Sequence, residues 1–368
     1  MKLYNWQQKN WPHFTYKLTA VGDELLLLAE KAGEVAGMIG ALPPDARMEA
    51  IIDMMAAEAV KTSEIEGEYL SREDVKSSIR NNLGLHPVRE KVHDRRAEGI
   101  GRMMADVRNT WQEPLTAEKL FDWHRMLFHG QKGVSAGAWR THAEPMQVVS
   151  GPLGKQKVHY EAPPSAQVPG EMEQFITWFN ATAPGGAEEI KKPAVRSAIA
   201  HLYFESIHPF EDGNGRIGRA IAEKALSQGM GRPVVMSLSA TIEKKKKDYY
   251  EALEKAQRAT DITAWIRYFV HTVLTAQREA EAQIGFTIRK AQFFDRYSNR
   301  LSERQLKVIR RMLDEGPEGF EGGMNASKYG SLTKVSKATA TRDLQQLAEM
   351  GVLAVTGGGR STRYTVNW

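Results

Sequence analysis

The spacing of apolar residues constrains this chain more than any other feature, because they recur every three or four positions over most of residues 18–282. That spacing puts an apolar stripe along one side of a helix, whereas a half-buried strand needs strict alternation. Pro43 and Pro44 interrupt the first stretch, which predicts two helices and a shorter third over residues 18–83. The fold class is therefore predicted to be mainly α, a helical bundle. Further helices are expected over residues 93–111, 117–128, 166–180, 192–206, 219–228, 242–259 and 263–282.

One segment, residues 146–164, departs from the helical pattern. Two short β-prone pieces, MQVV and KVHY, flank a turn that contains Gly151, Pro152, Leu153 and Gly154. Strand-like pieces on either side of such a turn predict a β-hairpin. A hairpin inserted into a helical bundle favours a functional role, so we interpret it as a flap.

Composition excludes several classes of protein. The chain has no cysteine, which excludes disulfides, cysteine-ligated metals and thiolate catalysis and makes the cytoplasm the default location. The N-terminal residues lack the layout of a signal peptide, and the longest apolar run, near residues 25–29, is too short to span a bilayer. We therefore expect no membrane contact. A net charge of +5 permits an anionic partner without requiring one.

Residues 208–219, HPFEDGNGRIGR, combine the features of a phosphate site. Gly213, Asn214 and Gly215 let consecutive backbone amides point into one concavity, and a following helix adds its positive N-terminal end. Arg216 and Arg219, three residues apart, can neutralise different phosphates of one chain. Taken singly, such features are ordinary, since His-Pro and Gly-Asn-Gly are common in turns.

Two further residues of this segment carry reactive groups. Asp212 precedes the glycines and can hold Mg²⁺ against phosphate oxygens. His208 has an imidazole that can accept a proton from an attacking hydroxyl. A base, a metal ligand and a phosphate clamp therefore lie within twelve residues.

The whole segment resembles the signature of the Fic family, H-x-F-x-[DE]-G-N-G-R-x-x-R, at all eight fixed positions. The resemblance implies a Fic-type helical bundle in which His208 is the general base and Arg219 binds the γ-phosphate of a nucleotide. It also implies that Asp212 is the magnesium ligand, that Phe210 anchors the loop, and that the anion site comprises Gly213, Asn214, Gly215 and Arg216.

The resemblance extends over about residues 114–271 and places the hairpin where Fic proteins carry the flap that aligns a target by strand pairing. We include Val149 and Ser150 of this flap among the expected nucleotide contacts. Tyr249 and Tyr250 resemble a tyrosine pair that lies against base and ribose in AMP-transferring members, although ordinary helix packing explains them equally well. Gln257 falls where other members have Asn, which leaves the base identity open.

A second pattern lies upstream, where TSEIEG, residues 62–67, resembles the [ST]-x-x-x-E-[GN] inhibitory motif of Fic proteins. Its fixed positions are Thr62, Glu66 and Gly67. The resemblance implies an N-terminal inhibitory helix whose Glu66 pairs with Arg219, so that the arginine cannot hold the γ-phosphate and the α-phosphate is misaligned. Without the Fic signature, Glu66 would be interpreted as an exposed carboxylate near a helix end.

Residues 301–368 show three short helical segments followed by two β-prone strands around a glycine-rich turn, which predicts a winged helix-turn-helix domain. Ten Lys and Arg residues against seven Asp and Glu residues give a net charge of +3, too small to decide between DNA contact and protein contact or dimerisation. The exposed candidates are Ser336, Lys337, Thr339, Thr341 and Arg342 on a recognition helix, with Arg360 and Arg363 on the wing.

Four regions are predicted: an N-terminal helical region with the inhibitory motif (1–112), a Fic catalytic core (113–285), a connector (286–300) and the winged helix domain (301–368). The resemblance implies a protein adenylyltransferase that transfers AMP from Mg-ATP to a Ser, Thr or Tyr hydroxyl of a protein and is inhibited by Glu66, with self-modification and a homodimer as further expectations. The alternatives are transfer of another nucleotide monophosphate, removal of AMP, or a nucleotide-sensing DNA-binding regulator, which would not need His208.

Overall fold

The computed structural model describes residues 3–85, 87–131, 133–152 and 155–368, and the predicted turn residues Leu153 and Gly154 lie outside them. Helices dominate, which confirms the predicted fold class. The flap is a hairpin of β1 Gln147–Ser150 and β2 Lys157–Glu161. The helices before it are α1 Gly22–Ala41, α2 Pro44–Ile65, α3 Arg72–Leu83, α4 Arg95–Asn109 and α5 Ala117–Leu127; those after it are α6 Val168–Ala181, α7 Pro193–Ile207, α8 Asn214–Met230, α9 Leu238–Lys244, α10 Lys246–Ala256 and α11 Thr263–Tyr297.

The chain forms two compact units. The first comprises Met1–Gly37 and Pro43–Ala280, and the second comprises Met38–Leu42 and Glu281–Trp368. The sequence predicted a connector over residues 286–300. In the structure, Phe286, Phe293 and Tyr297 of this segment are buried in the apolar core of the second unit.

The centre of the first unit is α7, whose residues from Ala194 to Ile207 are all buried. A helix that is enclosed on every side must satisfy its polar groups internally. Arg196, for example, donates to the carbonyl oxygens of Phe179 and Ala225 at 2.7 and 3.2 Å. His208 follows directly as the C-terminal cap of this helix, so the rigid interior positions the candidate base.

Three predicted helix boundaries were wrong, and one of them is the end predicted at residue 282, since α11 continues to Tyr297. Helix α8 begins at Asn214, not near Arg219, because Gly213 adopts a left-handed φ of 80° as its N-cap. The Asn214 side chain then accepts from the Phe210 N–H at 2.9 Å and donates to the Phe210 carbonyl at 2.8 Å. The helix predicted over residues 242–259 is divided into α9 and α10, with a non-helical backbone at Lys245.

The second unit contains α12 Glu303–Leu313, α13 Ala326–Thr333 and α14 Lys337–Glu349, followed by the antiparallel pair β3 Leu353–Thr356 and β4 Arg363–Val366. Its core includes Val308, Tyr329 and Leu344. The three helices and two strands are those that the sequence predicted, and the winged helix assignment stays a prediction. Within the described ranges, no helix is both long enough and apolar enough to cross a membrane.

Candidate active site

The loop that carries His208 is fixed by the buried guanidinium of Arg140. His208 itself adopts a left-handed φ of 51°, which is uncommon for a residue other than glycine. Arg140 Nε donates to the His208 carbonyl at 2.9 Å, and the Arg140 backbone N–H donates to the Pro209 carbonyl at 2.9 Å. Because the same guanidinium also donates to Ser165 Oγ at 2.8 Å, it connects the His208 loop to the segment that follows the flap.

A buried histidine, His124 on α5, supports the other end of this loop. Its Nδ1 accepts from the Gly137 N–H at 2.8 Å, so Nε2 carries the proton and donates to the Asp212 carbonyl at 3.1 Å. The ring also stacks on Phe210, with 4.1 Å between centroids. Burial lowers the pKa of His124 to about 4, which keeps the ring neutral. Phe210 is fully buried, as the resemblance implied.

The side chain of His208 is held neutral. Burial, with a smaller contribution from Arg140, lowers the pKa of His208 to about 4. Burial also raises the pKa of the neighbouring Glu205 carboxyl to about 8. His208 Nδ1 lies 3.7 Å from Glu205 Oε2, but near pH 7 both groups are uncharged, so this contact is not an ion pair at that pH. A neutral imidazole is the form that can accept a proton.

The N-terminus of α8 is the predicted anion site, and a carboxylate lies over it. A Cβ on Gly215 would overlap Glu66 Oε1, so glycine is what allows a negatively charged oxygen to approach this helix end. Helix N-termini attract anions because their first N–H groups point outward without partners. The Glu66 carboxylate therefore lies where a phosphate oxygen is expected.

Arg219 is fully buried and contacts two residues of the inhibitory motif. Its Nη2 lies 2.7 Å from Glu66 Oε1, and its Nε donates to Thr62 Oγ1 at 2.6 Å. Burial acts to lower the pKa of Arg219, but the charge and hydrogen bond of Glu66, together with Tyr249 and Glu205, outweigh it and the pKa is raised. Burial likewise acts to raise the pKa of Glu66, and Arg219 more than reverses this. Both groups therefore stay ionised at neutral pH.

The other arginine of the signature is held in a similar way. Arg216 Nη1 lies 2.9 Å from Glu68 Oε2, and its Nη2 lies 3.7 Å from Asp212 Oδ1. Gly67, with a left-handed φ of 85°, makes the turn between Glu66 and Glu68. One short segment after α2 therefore supplies a carboxylate to each arginine.

These groups meet in a cavity of about 730 Å³. The predicted residues that line it are His208, Gly215, Arg219, Glu66, Tyr249, Tyr250, Gln257, Val149 and Ser150. The remaining predicted residues, Thr62, Gly67, Asp212, Gly213, Asn214 and Arg216, are not among its lining residues, although Thr62 contacts Arg219 and the other five belong to the segments that shape it.

The two tyrosines differ in their surroundings. Tyr249 is buried, and its hydroxyl lies 2.8 Å from His201 Nε2 in the core. Tyr250 is 38% exposed and faces the cavity. The buried Gln257 donates from Nε2 to the Glu205 carbonyl at 3.2 Å, which fixes its amide beside the cavity. Tyr249 therefore serves the core as well as the cavity wall.

Asp212 fits a magnesium ion that is held jointly with phosphates. Its side chain is 61% exposed beside the start of α8, and its Oδ1 accepts from the Gly213 N–H at 2.5 Å. Among the residues that the structure describes, no group of three His, Asp or Glu side chains could hold a metal alone. Mg²⁺ typically uses one or two carboxylates together with substrate phosphates and water, and a single carboxylate here suits that arrangement.

Sequence reasoning missed several residues that shape the site. Lys246 Nζ contacts the Ile65 carbonyl at the end of α2. Arg140, His124 and Glu205 also went unrecognised. Of these residues, Glu205 has a local signal in the sequence, because it lies three residues before His208.

Comparisons with known proteins agree with the motifs. A model described as a domain of unknown function (DUF4172) matches residues 4–85, and a Fic/DOC family model matches residues 114–226. A protein adenylyltransferase Fic from Nematostella vectensis is 25% identical over 207 residues, 55% of this chain and 43% of the relative. Protein adenylyltransferase fic-1 from Caenorhabditis elegans is 25% identical over 167 residues, 45% of this chain and 29% of the relative. The aligned region thus spans less than half the length of these relatives.

Solved structures share the fold. A Fic family protein from Desulfovibrio desulfuricans has a TM-score of 0.53 at 22% identity, with 96% of this chain and 98% of that chain covered. Residues 134–508 of Fic-1 from C. elegans have a TM-score of 0.51 at 19% identity, with 74% of each chain covered. The resemblance predicted from the signature is confirmed by the match of residues 114–226 to the Fic/DOC family model and by the relatives named Fic.

Proposed function

We propose that the protein is an adenylyltransferase that transfers AMP from Mg-ATP to a hydroxyl of a protein and is held in a low-activity state by Glu66. The observation that carries the proposal is the single cavity that brings together His208, the N-terminus of α8 and Arg219. This combination supplies a base, an anion site and a buried cation, which are the groups that phosphoryl-type transfer needs. The curated relatives that bear the name protein adenylyltransferase support the same chemistry.

In the proposed reaction the acceptor oxygen attacks the α-phosphorus, and the bond from that phosphorus to the oxygen bridging to the β-phosphate breaks. His208 accepts the proton of the hydroxyl, and pyrophosphate leaves with the bonding electrons. The amides at the start of α8 and the guanidinium of Arg219 hold the phosphate oxygens. Mg²⁺ beside Asp212 would supply charge neutralisation on those oxygens. Bound phosphates would also raise the pKa of His208 from about 4, because negative charge favours the imidazolium.

The flap would position the acceptor. Its first strand, β1, pairs with β2 on one side, and Val149 is 39% exposed. An unpaired strand edge offers backbone N–H and C=O groups to an extended peptide. A target segment that added to this edge would bring its hydroxyl towards the cavity that holds His208.

Inhibition by Glu66 would be electrostatic and steric together. The carboxylate neutralises Arg219 at 2.7 Å and lies close to Gly215 at the helix end. A γ-phosphate would have to displace this carboxylate, since both need the same guanidinium and the same helix end. ATP that binds without this contact would have its α-phosphate out of line with the attacking oxygen.

The test measures incorporation of label from α-labelled ATP into proteins of a cell extract supplied as acceptors. We expect little incorporation with wild type, a strong rise with Glu66→Gly, and loss of that rise in Glu66→Gly/His208→Ala. Glu64→Gly is the matched control, because Glu64 lies on the same helix end but pairs with Lys61 at 2.5 Å. Equal labelling by wild type and Glu66→Gly would contradict the inhibition model.

The same assay separates the alternatives. Stronger labelling from UTP or GTP would identify another nucleotide as the donor. Loss of AMP from labelled proteins, abolished by Glu66→Gly, would indicate that Glu66 positions a water for the reverse reaction. Absence of transfer in either direction, with nucleotide still bound, would favour the nucleotide-sensing regulator.

A further inference from the structure

Three polar side chains, none of them in the Fic signature, form a connected chain over the candidate active site. Ser150 at the end of β1 places its Oγ 2.6 Å from His159 Nε2 on β2. His159 Nδ1 in turn lies 2.8 Å from Glu254 Oε2 on α10. A hydroxyl, an imidazole and a carboxylate in this order form the arrangement that activates a nucleophilic serine.

A β-bulge accounts for the position of His159. Val148 pairs with Tyr160 and Val149 pairs with Val158, so His159 is an extra residue in β2 without a partner in β1. Bulges redirect a side chain out of the regular alternation and are common beside active sites. The bulged residue is also anchored through its backbone, because Arg258 Nη2 donates to the His159 carbonyl at 3.0 Å.

The hydrogen-bond partners determine which ring nitrogen can act as a base. The carboxylate of Glu254 accepts a hydrogen bond, so the proton resides on Nδ1 of His159. Nε2 then presents its lone pair, and the Ser150 hydroxyl donates to it. This is the tautomer in which an imidazole can remove the proton of a serine while the carboxylate stabilises the resulting imidazolium.

The activated hydroxyl opens into the nucleotide cavity. Ser150, His159 and Glu254 line the same cavity as His208 and Arg219. Ser150 is exposed at the end of β1, next to the hairpin turn, so no core packing holds its side chain away from a bound nucleotide. A contact that only held the flap against α10 would need just the hydrogen bond between His159 and Glu254. The further hydrogen bond from Ser150 is not needed for that purpose.

We propose that Ser150 is a self-modification site that accepts the nucleotide monophosphate, with His159 as its base and Glu254 as the residue that orients the base. The inference rests on the proposed transfer of AMP from ATP. Ser150 Oγ forms a bond to the α-phosphorus, the bond from that phosphorus to the bridging oxygen of pyrophosphate breaks, and the serine proton moves to His159 Nε2. The modified serine would place an anionic group on the flap, beside the cavity that the next nucleotide must enter.

The first experiment tests activation of the serine without ATP. Wild-type protein is treated with a fluorophosphonate probe, which reacts with activated serines, and the modified peptide is identified by mass spectrometry. We expect labelling at Ser150, and a rate at least tenfold lower in His159→Gln, since a general base contributes about 10²–10⁴-fold. His142→Gln is the matched control, because His142 contacts the nearby Glu144 carbonyl and is not among the residues that line the cavity. No labelling at Ser150, or an unchanged rate in His159→Gln, would overturn the proposal.

The second experiment follows the nucleotide itself. Glu66→Gly protein is incubated with Mg²⁺ and ATP, and added AMP is mapped on its peptides; we expect AMP on Ser150 and at least tenfold less in Glu66→Gly/His159→Gln. AMP on extract proteins but not on Ser150 would overturn this inference and leave the proposed function intact. Absence of AMP from every acceptor would defeat the proposed function and this inference with it, while the fluorophosphonate result would still report on activation of the serine.

Discussion

The candidate active site in the first unit and the core of the second unit differ in how their buried polar groups are hydrogen-bonded. In the first unit, His208 Nδ1, Glu205 Oε1 and Arg219 Nη1 are buried without a hydrogen-bond partner among the described residues. In the second unit, the buried carboxylate of Asp343 accepts from Arg304 Nε at 2.7 Å and from the Tyr329 hydroxyl at 2.8 Å. Unsatisfied buried atoms are costly and persist where a ligand completes them, whereas a satisfied carboxylate stabilises a fold. The contrast agrees with the proposal that the cavity of the first unit binds a ligand.

The largest expected effect comes from a comparison of one arginine in each unit. In the Glu66→Gly background, Arg219→Ala should lower AMP transfer by about 10²-fold or more, because it removes the buried partner of the γ-phosphate and misaligns the α-phosphate. Arg342→Ala on α14 of the second unit should leave transfer unchanged. Initial rates of label incorporation measure both. A rate for Arg219→Ala that equals its parent would remove this arginine from the proposed role.

The second prediction concerns pH, since all ten histidines of the chain lie outside the second unit. Burial lowers the pKa of His124, His201 and His208 from 6.5 to about 4. Between these values the unfolded chain binds protons that the folded chain does not, so folding stability falls as the pH falls. Each pH unit in that window costs about 1 kcal/mol per histidine, but the buried carboxyls of Glu205 and Glu223, whose pKa values burial raises to about 8, gain a similar amount each, so the net loss is about 1 kcal/mol per pH unit.

In the second unit, Asp343 has a lowered pKa: burial alone would raise it, but Arg304 and Tyr329 outweigh that effect. Its contribution to stability is present above the ordinary pKa of 3.8 and is lost only as the pH falls below it. Hydrogen exchange of peptides from α7 and from α14, measured at pH 7, 5 and 4, would show at which pH each unit loses stability. Equal loss of protection in both helices between pH 7 and 5 would contradict the comparison.

The comparison also shows what the sequence could predict. The helical class, the flap and the hairpin of the second unit follow from apolar spacing and turn residues, which are local properties. His208 and Arg219 of the signature line one cavity, and Glu66 of the second motif lies 2.7 Å from Arg219 although 153 positions separate them. Short motifs succeed here because each fixed residue has one physical task.

Residues that act through tertiary contacts were not predictable in this way. Arg140 is 68 positions from His208, and His124 is 88 positions from Asp212, so neither has a local pattern that marks it. The start of α8 was misplaced because glycines at 213, 215 and 218 have poor helix propensity, and the bond from Asn214 to Phe210 overrides it. The break at Lys245 lies in a run of lysines without glycine or proline to signal it.

A third prediction tests whether Asp343 serves only the fold of its own unit. Asp343→Asn removes one acceptor oxygen and places an amide beside the Arg304 and Tyr329 donors, which should cost about 1–3 kcal/mol. Thermal unfolding would measure the loss, and AMP transfer by Glu66→Gly/Asp343→Asn at 25 °C should equal that of Glu66→Gly. Asp314→Asn is the matched control, since its contact with Lys290 at 3.0 Å is exposed and such pairs contribute under about 1 kcal/mol. A fall in transfer in step with the stability loss would show that the second unit participates in catalysis.

The smallest expected effect concerns the surface of the second unit, where the sequence left DNA contact and protein contact open. Helix α14 begins at Lys337, and Arg342 lies five residues further along it, within the segment predicted to be a recognition helix. If α14 contacts DNA, each cation that neutralises a phosphate releases condensed counterions, and the affinity falls with salt in proportion to their number. Removing both charges in Lys337→Gln/Arg342→Gln should then reduce the slope of log affinity against log salt by about 2, with a change in affinity of about tenfold at physiological salt.

Binding to a duplex of mixed sequence, measured by fluorescence anisotropy between 50 and 200 mM salt, gives both quantities. Lys307→Gln/Arg311→Gln on α12 is the matched control, because it removes the same charge from a helix outside the predicted recognition segment. Equal slopes for the two double variants would show that any affinity reflects general charge, and absence of binding by the wild type would favour protein contact as the role of this surface.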